Sequence, residues 1–435
     1  MAEKKQDDDG FSFINEKIKQ KPLNKKRLFQ ETCYVVGLAA LFGTVASFTF
    51  AATQPYLKEV LKKDDSVEIP QDEEENRQTQ KETEQKPSAD HAASEKTNEE
   101  QKQKIIYKEK KETVSDYQRL QRQLYNIGKK ANNSIVTVQG VKDMADWFDT
   151  SYEHACQSSG LIVAQTDKEL LILTEKKVIT DVQKIRVMFK NNDSVPAKLK
   201  KYDGNTGLAI LSVKLNKIGK ETKKQFTVAF FANSRGCVQG QVVLAIGSPL
   251  GSNFSILHGN LTSTTNQIST LDATYDVFTT NMIGSKNGSG ALVNLKGEII
   301  GLVMQDYSNQ EEESTLTAVS ISDLKWLIEQ LSNGADIPYL GLKVSTVTDD
   351  IAQEYDIPTG IYVKSVQEES PAMIAGLQNG DVIVKIDGEK IKDMEDYEKI
   401  LRQHVPEDSL TLTVKRQNGN DYSEIECQAV LGVLQ

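Results

Sequence analysis

Between residues 134 and 304 the chain is a succession of short β-rich runs, and this texture limits the fold more than any other feature. The runs are SIVTVQG (134–140), GLIVAQ (160–165), ELLILT (169–174), IRVMF (185–189), LAILSV (208–213), QVVLAIG (241–247), DVFTT (276–280), ALVNL (291–295) and EIIGLVM (298–304). Each has strand length, is rich in β-branched and other apolar residues, and is bounded by Gly, Asn, Asp or Ser. Many short strands at such spacing imply an all-β barrel or sandwich. Periodicity alone does not choose between them.

The rest of the 435 residues divides by composition. Residues 33–52 (CYVVGLAALFGTVASFTFAA) carry no charge and are long enough to cross a hydrocarbon core of about 30 Å. A secretory h-region is the competing reading, but such regions are shorter and lie nearer the N-terminus. Lys17, Lys19, Lys21, Lys25, Lys26 and Arg27 crowd the near side. The positive-inside rule therefore predicts a cytoplasmic tail at 1–32, a transmembrane helix at 33–52 and an extracytoplasmic remainder. The expected setting is a single-pass protein of a bacterial cell membrane.

Residues 53–113 are dominated by Glu, Lys, Gln and Asp. Such a segment buries too little apolar surface to offset the entropy of ordering it, so it reads as a disordered charged linker. An acidic protein-binding tail is the alternative. Tyr117, Leu120, Leu124 and Ile127 then recur at helical spacing, which predicts a helix packed on the β-rich domain or used as an oligomer contact.

A net charge of −10 argues against non-specific nucleic-acid binding, which needs a basic surface. Cys33, Cys156, Cys237 and Cys427 form no CxxC pair, and His91, His154, His258 and His404 are scattered. Neither a metal centre nor a cofactor is expected. Cys156 and Cys237 share one extracytoplasmic domain. A disulfide and two free buried thiols both remain open there.

In order along the chain come SSGLIV, LLILTEKKVI, NTGLAILSV, VVLAIGSPLG, SILHGNLTST and NGSGALVNLKGEIIG. This succession resembles the HtrA (DegP-like) family of trypsin-like serine proteases, over about 130–430. The resemblance implies a mainly β fold, a double barrel of two perpendicular six-stranded barrels with the active site between them, at 114–332. A second block resembles the PDZ domain of that family at 338–432: PYLGLKV (338–344), TGIYVKSV (359–366), SPAMIAGLQNGDVIVKIDGEKI (370–391) and a helix around MEDYEKILRQ (394–403).

A Ser-His-Asp triad needs a hydroxyl, an imidazole within reach of it and a carboxylate orienting the imidazole. Where the family has a pattern like LTNNHVV, this chain has LTEKKVI (173–179), which puts Lys177 at the histidine position. Where the family has DLAVLKV, this chain has GLAILSV (207–213), which puts Gly207 at the aspartate position. Asp203 nearby fits an acidic turn residue. The nucleophile loop KNGSGALVN (286–294) puts Gly288 at the serine position, or Ser289 if one glycine is deleted. His154 and His258 lie elsewhere and read as surface or packing residues.

Two readings of this pattern are carried forward. The first is a catalytically degenerate pseudoprotease that binds polypeptides, in protein quality control or as a scaffold. The second is an active endopeptidase with a rearranged site at Ser289, in which Lys177 would have to be a buried lysine of lowered pKa.

PDZ domains take an extended peptide as an added strand, with its C-terminal carboxylate held by backbone N–H groups. The resemblance assigns that role to Tyr339, Leu340, Gly341 and Leu342, with Tyr397, Ile400 and Leu401 lining a side-chain pocket or only the domain core. The implied partners are polypeptide C-termini or unfolded segments, the membrane through one helix, and a homotrimer or an assembly with an active relative. The cytoplasmic tail has no assignable role beyond docking a partner.

Overall fold

A computed structural model describes residues 66–72, 113–145, 151–307, 314–419 and 421–434. The expected tail and membrane segment at 1–52 lie outside the described residues. Among the described residues no helix is long and apolar enough to cross a membrane.

The β-rich runs close into two six-stranded barrels. The first contains β1 (Ile135–Ala145), β2 (Ser151–Gln165), β3 (Glu169–Glu175), β4 (Lys184–Met188), β5 (Ser194–Tyr202) and β6 (Leu208–Lys214). Its strands run in the order β1-β2-β3-β6-β5-β4. The second contains β7 (Val242–Ser248), β8 (Ser255–Ser269), β9 (Thr274–Ile283), β10 (Ser289–Val293), β11 (Ile299–Met304) and β12 (Thr315–Ser320). Their order is β10-β11-β12-β9-β8-β7.

Several strands are apolar at every position rather than at alternate ones, and the architecture explains why. Successive side chains of a strand point to opposite faces. In β3, Leu170 and Ile172 fill the first barrel, while Leu171 and Leu173 join a core shared by both barrels. In β6, Ala209 and Leu211 point into the barrel, while Leu208 and Ile210 join the shared core. In β7, Val243 and Ala245 fill the second barrel, and Leu244 and Ile246 face the shared core. Both faces of these strands are dry, so both must be apolar.

Helix α1 (Val114–Ala131) begins where Thr113 and Asp116 form a reciprocal capping box. Leu124 is buried in the shared core and Ile127 packs against it, while Gly128 lies close against Ile256. Tyr117 and Leu120 are exposed. The helical spacing was right, but the packed face covers only the later turns.

Helix α2 (Ile321–Asn333) follows β12 and buries Ile321, Leu324, Leu327, Ile328 and Leu331 in the shared core. Against it lies a piece of the segment read as linker. Ile69 is buried in the same core. Val67 and Asn333 exchange two hydrogen bonds of 2.7 and 2.9 Å, and Asp72 pairs with Lys325 at 2.6 Å. The uniform-spacer expectation for 53–113 therefore fails at 66–72. Val67 and Ile69 are apolar exceptions in a polar stretch, and they find a helix to pack on.

The PDZ sheet runs β13-β14-β15-β17-β18, built from β13 (Leu342–Val347), β14 (Gly360–Val366), β15 (Val382–Ile386), β17 (Ser409–Asn418) and β18 (Asp421–Val430). The short β16 (Glu389–Lys390) pairs with β15. Helices α3 (Asp349–Tyr355) and α4 (Met394–Leu401) complete the domain. Gly376 and Gly380 take φ of +83° and +93°, the left-handed backbone that glycine adopts without strain. All described residues fall in one compact unit, Ser66–Gln435.

Cys156 is exposed, Cys237 is buried, and both are free thiols. The disulfide left open by the sequence is not formed. Burial pushes the Cys237 thiol up to about 11.

Candidate functional sites

Two sites follow from this framework, one between the barrels and one at the start of the PDZ sheet.

The first centres on Ser289. It opens β10, pairing with Ser248 of β7 and Met304 of β11, and is almost fully buried. Its Oγ accepts a hydrogen bond from the backbone N–H of Ser159 in β2 at 3.0 Å. Ser159 Oγ in turn donates to Asn253 Oδ1 at 2.8 Å, and Asn253 Nδ2 donates to Thr137 Oγ1. The hydroxyl is thus tied into the seam between the barrels. The void it lines with Ser159, Thr174 and Glu175 measures about 10 Å³, room for one water at most. Small-molecule and peptide sites are open clefts tens of times larger.

Lys177 lies in a helical turn after β3. Its Nζ contacts Glu175 at 2.5 Å and Asp306 at 3.1 Å. Partial burial acts to lower the ammonium, but hydrogen bonds and charge from Glu175 and Asp306 outweigh it and hold Lys177 above the ordinary lysine range. A lysine in that state stays protonated and takes no proton from a hydroxyl. Glu175 itself is pushed up by burial, against the pull of Lys177.

Gly207 sits in the β5–β6 turn at φ +70° with open space where a Cβ would be. Its carbonyl accepts from Lys176 N–H at 2.7 Å. Asp203 caps the same turn, accepting from Thr206 N–H and Oγ1 at 2.8 and 2.6 Å, which is the turn role expected of it. Gly288 is packed into a tight turn, and a Cβ there would lie 2.6 Å from the Pro249 carbonyl oxygen and 2.8 Å from that of Ser285. Its N–H is already donated to Ser285 O at 2.6 Å. Among the described histidines, His154 lies in β2 opposite Lys142. His258 is exposed in β8, and His404 is in the PDZ domain near Asp387 and Asp408. Ser159 is the hydrogen-bond partner of Ser289, and no histidine takes that place.

The second site is a carboxylate nest. The N–H groups of Leu340, Gly341 and Leu342 converge on one carboxylate at 2.8, 2.6 and 2.9 Å, and the Tyr397 hydroxyl donates to it at 2.9 Å. Gly341 makes the loop geometry accessible with φ +93°. Tyr339 contributes no N–H, because that group donates to Gly432 O at 3.0 Å. The side chains of Leu340, Leu342, Tyr397, Ile400 and Leu401 belong to the PDZ core. What the loop offers at its surface is its backbone.

The carboxylate in the nest belongs to Asp272, at the tip of the β8–β9 hairpin in the second barrel. Sequence reasoning missed it. A lone Asp at a hairpin tip reads as an ordinary turn residue, and its partners are 68 to 125 positions away. Burial raises its carboxyl, against the lowering effect of the three N–H groups and Tyr397. Close by, Thr274 N–H donates to Glu398 of α4 at 2.8 Å, and Arg402 stacks over the Trp326 ring of α2 at 5.3 Å.

Comparison with known proteins agrees with both halves of the architecture. Residues 158–302 match the trypsin-like peptidase domain, and residues 362–416 match the PDZ domain. Serine protease Do-like HtrA of Lactobacillus helveticus is 29% identical over 283 residues, covering 61% of this chain and 66% of the relative. Serine protease Do-like HtrB of Bacillus subtilis (strain 168) is 32% identical over 284 residues, covering 60% and 59%. The chain thus spans just under two thirds of the first of these relatives and less of the second. Among solved structures, the HtrA-type protease AlgW with decapeptide superposes with a TM-score of 0.54 at 22% identity, covering 71% of this chain and 98% of that one. That likeness bears on the fold alone. The closed barrels, the PDZ sheet and these matches together show a trypsin-like peptidase fold followed by a PDZ domain, an arrangement similar to that of HtrA/DegP-like proteins.

Proposed function

We propose that this chain is a membrane-anchored, extracytoplasmic polypeptide-binding protein that retains the peptidase fold without its chemistry. The observation that carries the proposal is the state of Ser289, whose Oγ is buried and held by the Ser159 N–H. A serine nucleophile needs a base within hydrogen-bond reach. The candidate base named by the sequence, Lys177, is committed to Glu175 and Asp306. An oxyanion hole needs free N–H donors aimed at the developing charge, and the Gly288 N–H is spent inside its own turn.

Polypeptide binding falls to the PDZ domain. Its nest of Leu340, Gly341 and Leu342 N–H groups has the chemistry to hold a terminal carboxylate. The HtrA-type protease AlgW is seen with a decapeptide, which supports the same role here by analogy. Anchoring rests on the uncharged run 33–52 and the basic residues before it. A homotrimer, or an assembly with an active relative, would bring several nests to one client in quality control or scaffolding.

The second reading is an active endopeptidase using Ser289, favoured by relatives that are named serine proteases. The two readings differ in their response to a fluorophosphonate, which phosphonylates only an activated serine. We expect no labelling of the native protein. Labelling that disappears in Ser289→Ala would establish the endopeptidase.

A further inference from the structure

We propose that Asp272 is a tethered stand-in for a polypeptide C-terminus, filling the carboxylate nest of the PDZ domain so that an incoming terminus binds only by displacing it. The inference rests on reading the PDZ domain as a peptide receptor.

The stand-in matches a terminal residue in several ways. Its carboxylate takes all three converging N–H groups and the Tyr397 hydroxyl. These donors are neutral, so the nest holds the charge with dipoles, as it would hold a free terminus. The Asp272 backbone N–H also donates to the carbonyl of Leu342, the first residue of β13, at 2.7 Å. That is the bond an added strand would make at the end of the groove. β13 is the edge strand of the PDZ sheet. Beyond the nest a cleft of about 620 Å³ continues between β13, α4 and the second barrel, bordered by Val344, Ser345, Met394, Lys399 and Gln267. An extended chain can lie there, but its carboxylate would meet Asp272.

The hairpin is also shaped to present this side chain. Asp272 adopts φ +59°, a left-handed conformation that Asp tolerates better than most residues. Asn205, in the β5–β6 turn, clamps the tip. Its Nδ2 donates to Leu271 O at 2.7 Å and to Thr270 Oγ1 at 3.2 Å, and its Oδ1 accepts from Leu271 N–H at 3.2 Å. The tip is therefore fixed by the barrels while its carboxylate is inserted into the other domain. A tethered competitor lowers the apparent affinity of a free ligand by the fraction of time the site is open. Nine-tenths occupancy hides about nine-tenths of the affinity.

The test is fluorescence anisotropy on the full-length protein. The probe is a fluorescein-labelled decapeptide pool, randomised except for a C-terminal Val, Leu, Ile or Phe with a free carboxylate. The same pool with amidated C-termini serves as the control. Asp272→Gly removes the carboxylate and suits the left-handed backbone. Asp272→Asn keeps the turn and sets an amide against the donors, and equal thermal unfolding shows that both variants fold. The expected result is binding at least about tenfold tighter in Asp272→Gly than in the native protein, tighter also in Asp272→Asn, and none of the amidated pool. Equal affinity for the free pool in native protein and both variants would overturn the stand-in and leave the receptor reading in place. Equal binding of the amidated pool would overturn it too, because the nest would then not be the site. Binding in no form would overturn the receptor reading and the stand-in together.

Discussion

Gly341→Ala is expected to destabilise the PDZ domain by roughly 3 kcal/mol, from left-handed strain plus overpacking. Gly341 has φ +93°, which an alanine adopts only at a cost. A Cβ there would lie 2.4 Å from Ser370 Cβ and 2.8 Å from the Tyr339 hydroxyl. Ser370 cannot retreat, because it is buried and its Oγ accepts from Met373 N–H at 3.2 Å to cap the helical turn Pro371–Ile374. The Gly341 N–H would leave the nest as the loop opened, and the Asp272 carboxylate would lose its 2.6 Å partner. Denaturant unfolding of the full-length protein, followed through the PDZ transition, reads both effects. A variant that unfolds within about 0.5 kcal/mol of the native protein would mean that the loop relaxes freely and that its geometry is not what defines the nest.

Asp72→Ala is expected to cost about 3 kcal/mol, because removing one partner of a buried pair strands the other charge. Lys325 Nζ lies 2.6 Å from Asp72 Oδ1, with side chains only 3% and 9% exposed. Ser322 Oγ donates to the other carboxylate oxygen at 2.5 Å. The substitution removes the carboxylate that faces the buried ammonium at 2.6 Å. The amides of Val67 and Ile69, which donate to Asn333 and Glu329, should then exchange with solvent much faster. Adding Lys325→Met should recover most of the loss, since an apolar residue of similar length needs no counter-ion. A neutral Asp72→Ala, with unchanged exchange at 66–72, would show that this segment does not brace the barrel domain.

These two sites mark the limits of what the sequence made legible. The runs of β3, β6, β7, β10 and β11 were visible because both faces are buried, leaving unbroken apolar stretches. β5 was hidden by Pro196 and by Lys198, Lys200 and Lys201, since only Val195 and Ala197 of its residues are buried. β8 was hidden by a polar composition with little burial. The 66–72 strap was lost in a window average, because two apolar residues do not offset their acidic neighbours.

The PDZ loop was legible as a motif, but its working groups are backbone N–H groups, and no side-chain pattern says what they hold. Asp272 carries no sequence signal of its partners because only the fold brings its hairpin to the PDZ domain. The local problem at Gly288 was likewise invisible. A sequence shows a missing hydroxyl, whereas the Pro249 carbonyl that would collide with any Cβ there comes from 39 positions earlier in the chain.

The central claim, that the barrels no longer hydrolyse peptides, is tested most directly by fluorescein-casein cleavage with the full-length protein. Ser289→Ala and Lys177→Ala are run in parallel. The account predicts the same background rate from all three, because Ser289 Oγ is locked in the inter-barrel seam and Lys177 remains a protonated partner of Glu175 and Asp306. Cleavage by the native protein that vanishes in Ser289→Ala would contradict it, and its loss in Lys177→Ala as well would identify a Ser-Lys endopeptidase.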